Sequence, residues 1–352
     1  MKKKLGNVLF FFAVMGLTII LICRNHDLGK VVRAIQNANM TWLFPAALSA
    51  FLFVFCECVI IWDLLRLLGH RTSLLQCLSY SFVGYFYSGI TPSASGGQPM
   101  QLYYMHKDGN GLTDSTVVLL TVAFFSRFSL TIIGIFLLVF FNGLLTQYFQ
   151  GYYFVYWLGL ILNTFIAFAI FAVMVWPKMV RRVISAADRL LVHFRLLRGS
   201  AERIQKIESV VEDYKGSVQL LVRHKKKALG LFLLTLFQRA TLYVLTWFVF
   251  RSFIPRGGSF WTVVLLQAAI YVSVEMLPLP GSQGISELLY RSVFAPVFHA
   301  SLTPSMLVVR GLDFYLLMLV GMIFSVVRFF RTKKRAGSAG APQAEDGPSA
   351  AG

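Results

Sequence analysis

The stretch Thr91–Pro99, T-P-S-A-S-G-G-Q-P, lies between an apolar run from Leu74 to Ile90 and a shorter one from Met100 to Met105. An uninterrupted helix cannot pass through it. Pro92 and Pro99 lack the N–H that a helical turn needs, and Gly96 and Gly97 have no Cβ to restrain the backbone. A second stretch of this kind, L-P-L-P-G-S-Q-G-I-S-E, runs from Leu277 to Glu287. Broken backbone at bilayer depth is tolerated only where protein or a water-filled cavity satisfies its freed N–H and C=O groups. Two such breaks in comparable positions of two halves point to a transporter-like binding site.

That reading needs a membrane, and the composition supplies one. Hydrophobic residues make up 57% of the 352, charged residues only 14%, and mean hydropathy is +0.68. A soluble domain carries about 25% charged residues, so the expected fold class is all-α, a polytopic transmembrane helical bundle. The net charge of +18 would suit nucleic acid, but the lysines and arginines concentrate in segments assigned to the cytoplasm. This is the positive-inside pattern, with anionic lipid headgroups as the counter-charge. Stable nucleic-acid binding is not expected. Cys23, Cys56, Cys58 and Cys77 lie in or beside apolar runs without metal-ligand or disulfide spacing, so neither metal nor cofactor is expected.

In chain order, Leu5–Cys23 reads as a first span with a cytoplasmic N-terminus, and Arg24–Met40 as an external interfacial segment. Leu43–Trp62 returns inside. Leu74–Met105 is expected to be a re-entrant hairpin, leaving through the turn Asp108-Gly109-Asn110-Gly111. Thr116–Phe141 and Tyr152–Trp176 span the bilayer, joined by an external loop from Asn142 to Gly151. The polar linker 177–227 holds 13 Lys/Arg against 5 Asp/Glu. Its apolar residues Ile204, Ile207, Val211, Tyr214 and Val218 recur at helical spacing, so an amphipathic helix on the inner leaflet is expected. Ala228–Phe250 spans outward, Phe260–His299 forms the second hairpin, and Ser305–Phe330 spans inward to a basic cytoplasmic cluster. Residues 1–335 thus read as one integral membrane domain in the plasma membrane, and 336–352 as a disordered tail.

Each half runs apolar helix, Pro/Gly break, short helix, and then a spanning helix that carries an arginine, Arg127 or Arg310. The hairpins open to opposite faces, so an inverted repeat is expected. Eight ionisable residues sit in or beside apolar stretches: Glu57, Arg127, Arg239, Glu275, Glu287, Arg291, Arg310 and Asp313. A charge at the bilayer centre costs ~2.5–3.5 kcal/mol on insertion scales, so such groups face the bundle interior and find partners. Glu287 with Arg291 and Arg310 with Asp313 are spaced to pair on one helix face. These charges read either as glue between helices or as a cavity for a lipid headgroup. In the second reading Arg127 and Arg310 grip phosphate by forked hydrogen bonds. Short helices starting after Gly97 and Gly284 would aim their free N–H groups at the same anion.

At these motifs the sequence resembles the membrane region of the lysylphosphatidylglycerol synthase/flippase family, over roughly Lys4 to Lys334. Pro278, Pro280, Gly281, Gly284 and Glu287 match the family pattern P-x-P-G-G-x-G-x-x-E, with Ser282 in place of its second glycine. Gln98 stands where the family often has an acid, and Gln101 where it often has an arginine. The resemblance implies a protein that binds and flips an anionic or aminoacylated phospholipid such as lysylphosphatidylglycerol. The candidate headgroup site comprises Arg127, Arg310, Gly96, Gly97, Gln98, Gly281, Gly284, Glu287, Arg291 and Asp313.

In full-length relatives a soluble C-terminal domain makes the aminoacyl lipid. No such domain follows Arg335 here, so aminoacyl transfer by this chain alone is not expected, and no catalytic motif was found in it. Two other readings stay open. One is the membrane component of a phosphatidylglycerol lysyltransferase acting with a separate catalytic domain in lipid metabolism and cationic-peptide resistance. The other is a non-transporting scaffold.

Overall fold

The computed structural model describes residues 38–91, 95–176, 214–220, 222–275 and 284–338, together with Arg33, Gln36 and Glu212. The expected first span, the linker up to Val211, Gly281 with the rest of the second break, and the tail beyond Ser338 lie outside the described residues. Among the described residues every regular element is helical. In order they are α1 Met40–Leu67, α2 Leu74–Ile90, α3 Gly97–Lys107, α4 Leu112–Phe140, α5 Asn142–Phe149 and α6 Tyr153–Val175. The second half holds α7 Lys225–Phe253, α8 Phe260–Val274, α9 Ile285–Phe298 and α10 Leu302–Arg310. A π-helical turn over Gly311–Leu316 then leads into α11 Leu317–Ser338.

Local chemistry sets several of the starts. Asn39 caps α1 by accepting from Thr41 N at 3.0 Å. Ser73 and Gln76 form a reciprocal capping box at α2, which satisfies donors that the first turn leaves free. Among the described residues five segments are long and apolar enough to cross a membrane: Met40–Leu67, Leu112–Phe140, Asn142–Val175, Lys225–Phe253 and Ile285–Phe330. Their outer faces carry exposed Phe136, Phe140, Phe154, Phe165 and Phe168, as a lipid-facing surface requires.

Three local features differ from expectation. Asn142–Phe149 is a short helix and not a loop, because Leu145 and Phe149, four residues apart, both bury on its inner side. The last span is not one continuous α-helix; the π turn interrupts it beside Arg310. Tyr214 and Val218 of the linker bury against the bundle alongside Leu231. These two side chains therefore face protein and not a leaflet.

The helices that flank each break pack on one another, α2 on α3 and α8 on α9. At the first, a Cβ on Gly97 would fall on Ser88 Oγ and within 2.6 Å of Gly84 O, so only glycine lets α3 begin this close to α2. Helix α8 is the centre of the second half. Val263 through Ile270 are all buried, and α6, α7, α9 and α4 all touch it. Helix α6 approaches it most closely at Gly159, where a Cβ would strike Val272 O and lie 2.6 Å from Ser273 Cα. One turn on, Asn163 Nδ2 donates to Val272 O at 3.1 Å. A short apolar helix surrounded in this way can carry polar groups into the bundle without meeting lipid.

Candidate functional site

Helix α8 presents Gln267, Tyr271 and, at its end, Glu275 to a cavity of about 180 Å³. One water needs only ~10–15 Å³ of such space. Across the cavity stand Arg127 from α4, Arg239 from α7, Arg310 at the end of α10 and Asp313 in the π turn. Phe53, Leu242, Ile270, Val274, Val309 and Phe314 make up much of the remaining wall. Three guanidinium groups thus face two carboxylates, a formal excess of one positive charge.

The charges are shared unevenly. Glu275 is clamped, with Oε1 3.2 Å from Arg127 Nη1 and Oε2 2.8 Å from Arg239 Nη1. Arg239 also donates to Ser126 Oγ and lies over the Phe53 ring. The clamp therefore joins α4 of the first half to α7 and α8 of the second. Opposite it, Asp313 Oδ2 accepts from Tyr271 OH at 2.8 Å, and its backbone carbonyl accepts from Tyr85 OH. Asp313 Oδ1 and Arg310 Nη2 are buried without hydrogen-bond partners.

The expected pairings need correction. Among the described residues no ion pair joins Arg310 to Asp313, although they are three apart. A π turn spreads successive side chains over a wider ring than an α turn, so this spacing no longer stacks them. Nor does an ion pair join Glu287 to Arg291, whose side chain is exposed on α9.

Of the anticipated site residues, the structure brings Arg127, Arg310 and Asp313 to one cavity. Gly96 and Gly97 shape the first turn-back, Gln98 is exposed, and Gly284 is an exposed residue at positive φ (83°) that opens α9. Glu287 is half-buried, and neither it nor Arg291 lines the cavity. Gln101 is buried and donates through Nε2 to Glu57 Oε1 at 2.8 Å, so here the glutamine serves a structural contact. The sequence marks Arg239 and Glu275 only as charges in apolar surroundings. Their position in apolar sequence was the available signal; that of Gln267, Tyr271 and Tyr85 was none.

The family described as the lysylphosphatidylglycerol synthase TM region matches residues 7–321, which takes in both turn-backs, the clamp and the cavity. The chain belongs to that family. No curated protein matches it. Membership in a transmembrane family, together with the five long apolar helices, makes it a multi-pass membrane protein. This member of the lysylphosphatidylglycerol synthase TM family holds a second polar cluster, whose residues do not line the cavity. There Arg328 Nη1 contacts Asp108 Oδ2 at 2.6 Å, Tyr80 OH donates to the same oxygen at 2.6 Å, and Arg328 Nε donates to Ser79 Oγ at 2.8 Å. These contacts tie α11 to α2 and to the turn after α3.

Proposed function

We propose that this protein binds the headgroup of an anionic phospholipid in the charged cavity and moves it across the plasma membrane. Arg127 and Arg310 come from opposite halves yet line the same cavity as Arg239, and this observation carries the reading. A headgroup cannot cross hydrocarbon unaided because its charge must be left uncompensated. A pocket with an excess of guanidinium charge replaces water around phosphate with planar, forked donors. In this reading the two turn-backs are re-entrant hairpins of an inverted repeat, both termini are cytoplasmic, and alternating exposure comes from rocking one half against the other. The lipid class that family membership favours is phosphatidylglycerol or its aminoacylated form.

Purified protein in vesicles containing tail-labelled fluorescent phosphatidylglycerol should speed its loss from the dithionite-protected leaflet. Arg310→Lys keeps the charge but removes the fork, so transport should fall severalfold while the protein still elutes as a folded species. Transport at the protein-free rate by the wild type would overturn the flippase reading.

Family membership also favours a second reading, in which the chain is the membrane component of a lysyltransferase whose catalytic domain is separate. Co-purification of a soluble aminoacyltransferase, lost on disrupting the described bundle surface, would support that reading.

A further inference from the structure

Arg310 and Asp313 are opposite charges, three residues apart on one cavity wall, and they do not pair. The π turn holds them apart, so each keeps an atom that nothing among the described residues satisfies: Arg310 Nη2 as donor and Asp313 Oδ1 as acceptor. Asp313 is only 4% exposed. Buried polar atoms are nearly always partnered, and charged ones lose most when they are not. Gln267, also 4% exposed, has its Oε1 unpartnered in the same cavity. Glu275 cannot serve the same purpose, because both of its oxygens are already held by Arg127 and Arg239.

We propose that Arg310 and Asp313 form a two-sign reader of the lipid headgroup: Arg310 donates to a phosphodiester oxygen, and Asp313 accepts from hydrogen-bond donors on the headgroup alcohol. The site therefore selects phospholipids whose headgroups carry O–H or N–H donors over those that carry none. This rests on the cavity being the headgroup site. It goes further by assigning the choice among headgroups to Asp313. Tyr271 is a positioning residue, fixing the carboxylate through Oδ2 so that Oδ1 points to the ligand.

Native mass spectrometry of the full chain in neutral detergent, titrated with short-chain lipids in matched pairs, tests this. Phosphatidylglycerol and phosphatidylmethanol share their charge, but only the first has headgroup hydroxyls. Phosphatidylethanolamine and phosphatidylcholine are both zwitterions, but only the first has N–H donors. In at least one pair the donor-bearing lipid should bind roughly tenfold more tightly, the effect of one hydrogen bond to a charged group. The pair that shows the gap tells hydroxyl from ammonium recognition. Asp313→Leu should close the gap, and Tyr271→Phe, which keeps the carboxylate but frees it to rotate, should narrow it in part. Should Asp313→Leu fail to fold, Asp313→Asn decides, because losing the charge must still narrow the gap severalfold. Equal binding within both pairs by the wild type, or a gap unchanged in the Asp313 variants, overturns the proposal. If the pairs do not differ but Arg310→Leu weakens all four lipids, the headgroup cavity stands and only the reader falls. If Arg310→Leu changes nothing, the headgroup cavity itself is wrong.

Discussion

Arg127 Nη1 meets Glu275 Oε1 at 3.2 Å, an ion pair between residues 148 positions apart that fastens the first half of the chain to the second. Its strength follows from its surroundings. Both side chains are mostly withdrawn from solvent, at 18% and 22% exposure, and Arg239 holds the other carboxylate oxygen at 2.8 Å. A single acid thus bridges one cation from each half. Removing it leaves two guanidinium groups facing each other across a cavity wall.

Replacing Glu275 by leucine should therefore cost about 3–5 kcal/mol, the range for breaking a buried pair from one side. Arg127→Leu in the same background should recover part of that loss. A double-mutant cycle on unfolding in mixed micelles should give a coupling of ~1–3 kcal/mol. Losses that simply add would mean that the clamp contributes no net stability.

At the other polar cluster, Arg328 and Asp108 are 13% and 7% exposed, and the guanidinium also lies 5.0 Å from the centre of the Tyr80 ring. Arg328→Ala removes one buried charge partner of Asp108 and should lower stability by about 3 kcal/mol. Arg328→Lys should recover only part, since a point charge cannot serve Asp108 and Ser79 through one planar fork. Thermal unfolding followed by size-exclusion chromatography reads both. A lysine variant as stable as wild type would show that charge alone is used.

Gly159→Val tests the close approach of α6 to α8. The added carbons would meet backbone of Val272 and Ser273, which cannot swing aside as a side-chain tip can. Overpacking of this kind costs typically ~1–3 kcal/mol, and here the upper end or beyond is expected. Because α8 carries Glu275 and Tyr271, lipid binding should fall along with stability. Full retention of both would mean that the two helices separate freely.

Water access separates a cavity from a dry core. In a background lacking the native cysteines, Ser286→Cys, on the cavity wall, should react with a charged, membrane-impermeant thiol reagent. Ser129→Cys, at a position with no exposure on α4, should react at least tenfold more slowly, in the manner of a buried, un-ionised thiol. Equal protection at the two positions would argue that the cavity is closed to water.

Much of the fold was legible in the sequence because a bilayer imposes length and apolarity on every spanning helix. The spans around Leu43–Trp62, Thr116–Phe141 and Ala228–Phe250 emerged close to their expected positions, and so did the start of α3 at Gly97 and of α9 after Gly284. Proline and glycine declare themselves wherever they stand. The arginines Arg127, Arg239 and Arg310 were visible for the same reason, since charge in an apolar run is costly and stands out.

Which charge meets which was decided only by the tertiary structure. Local spacing paired Arg310 with Asp313 and Glu287 with Arg291, but partner choice in a bundle depends on how helices distant in sequence are rotated and spaced. Glu275 went to Arg127 and Arg239 because α8 is drawn against α6 at Gly159 and reaches α4 and α7 with its end. Asp313 went to Tyr271, and Arg310 kept a free donor, because a π turn changed the angular step along a helix that the sequence reads as continuous. Composition and pattern determined that this chain spans a membrane and carries charge into it. Helix rotation, set by the close contacts at Gly97 and Gly159 and by one π turn, decided where that charge converges.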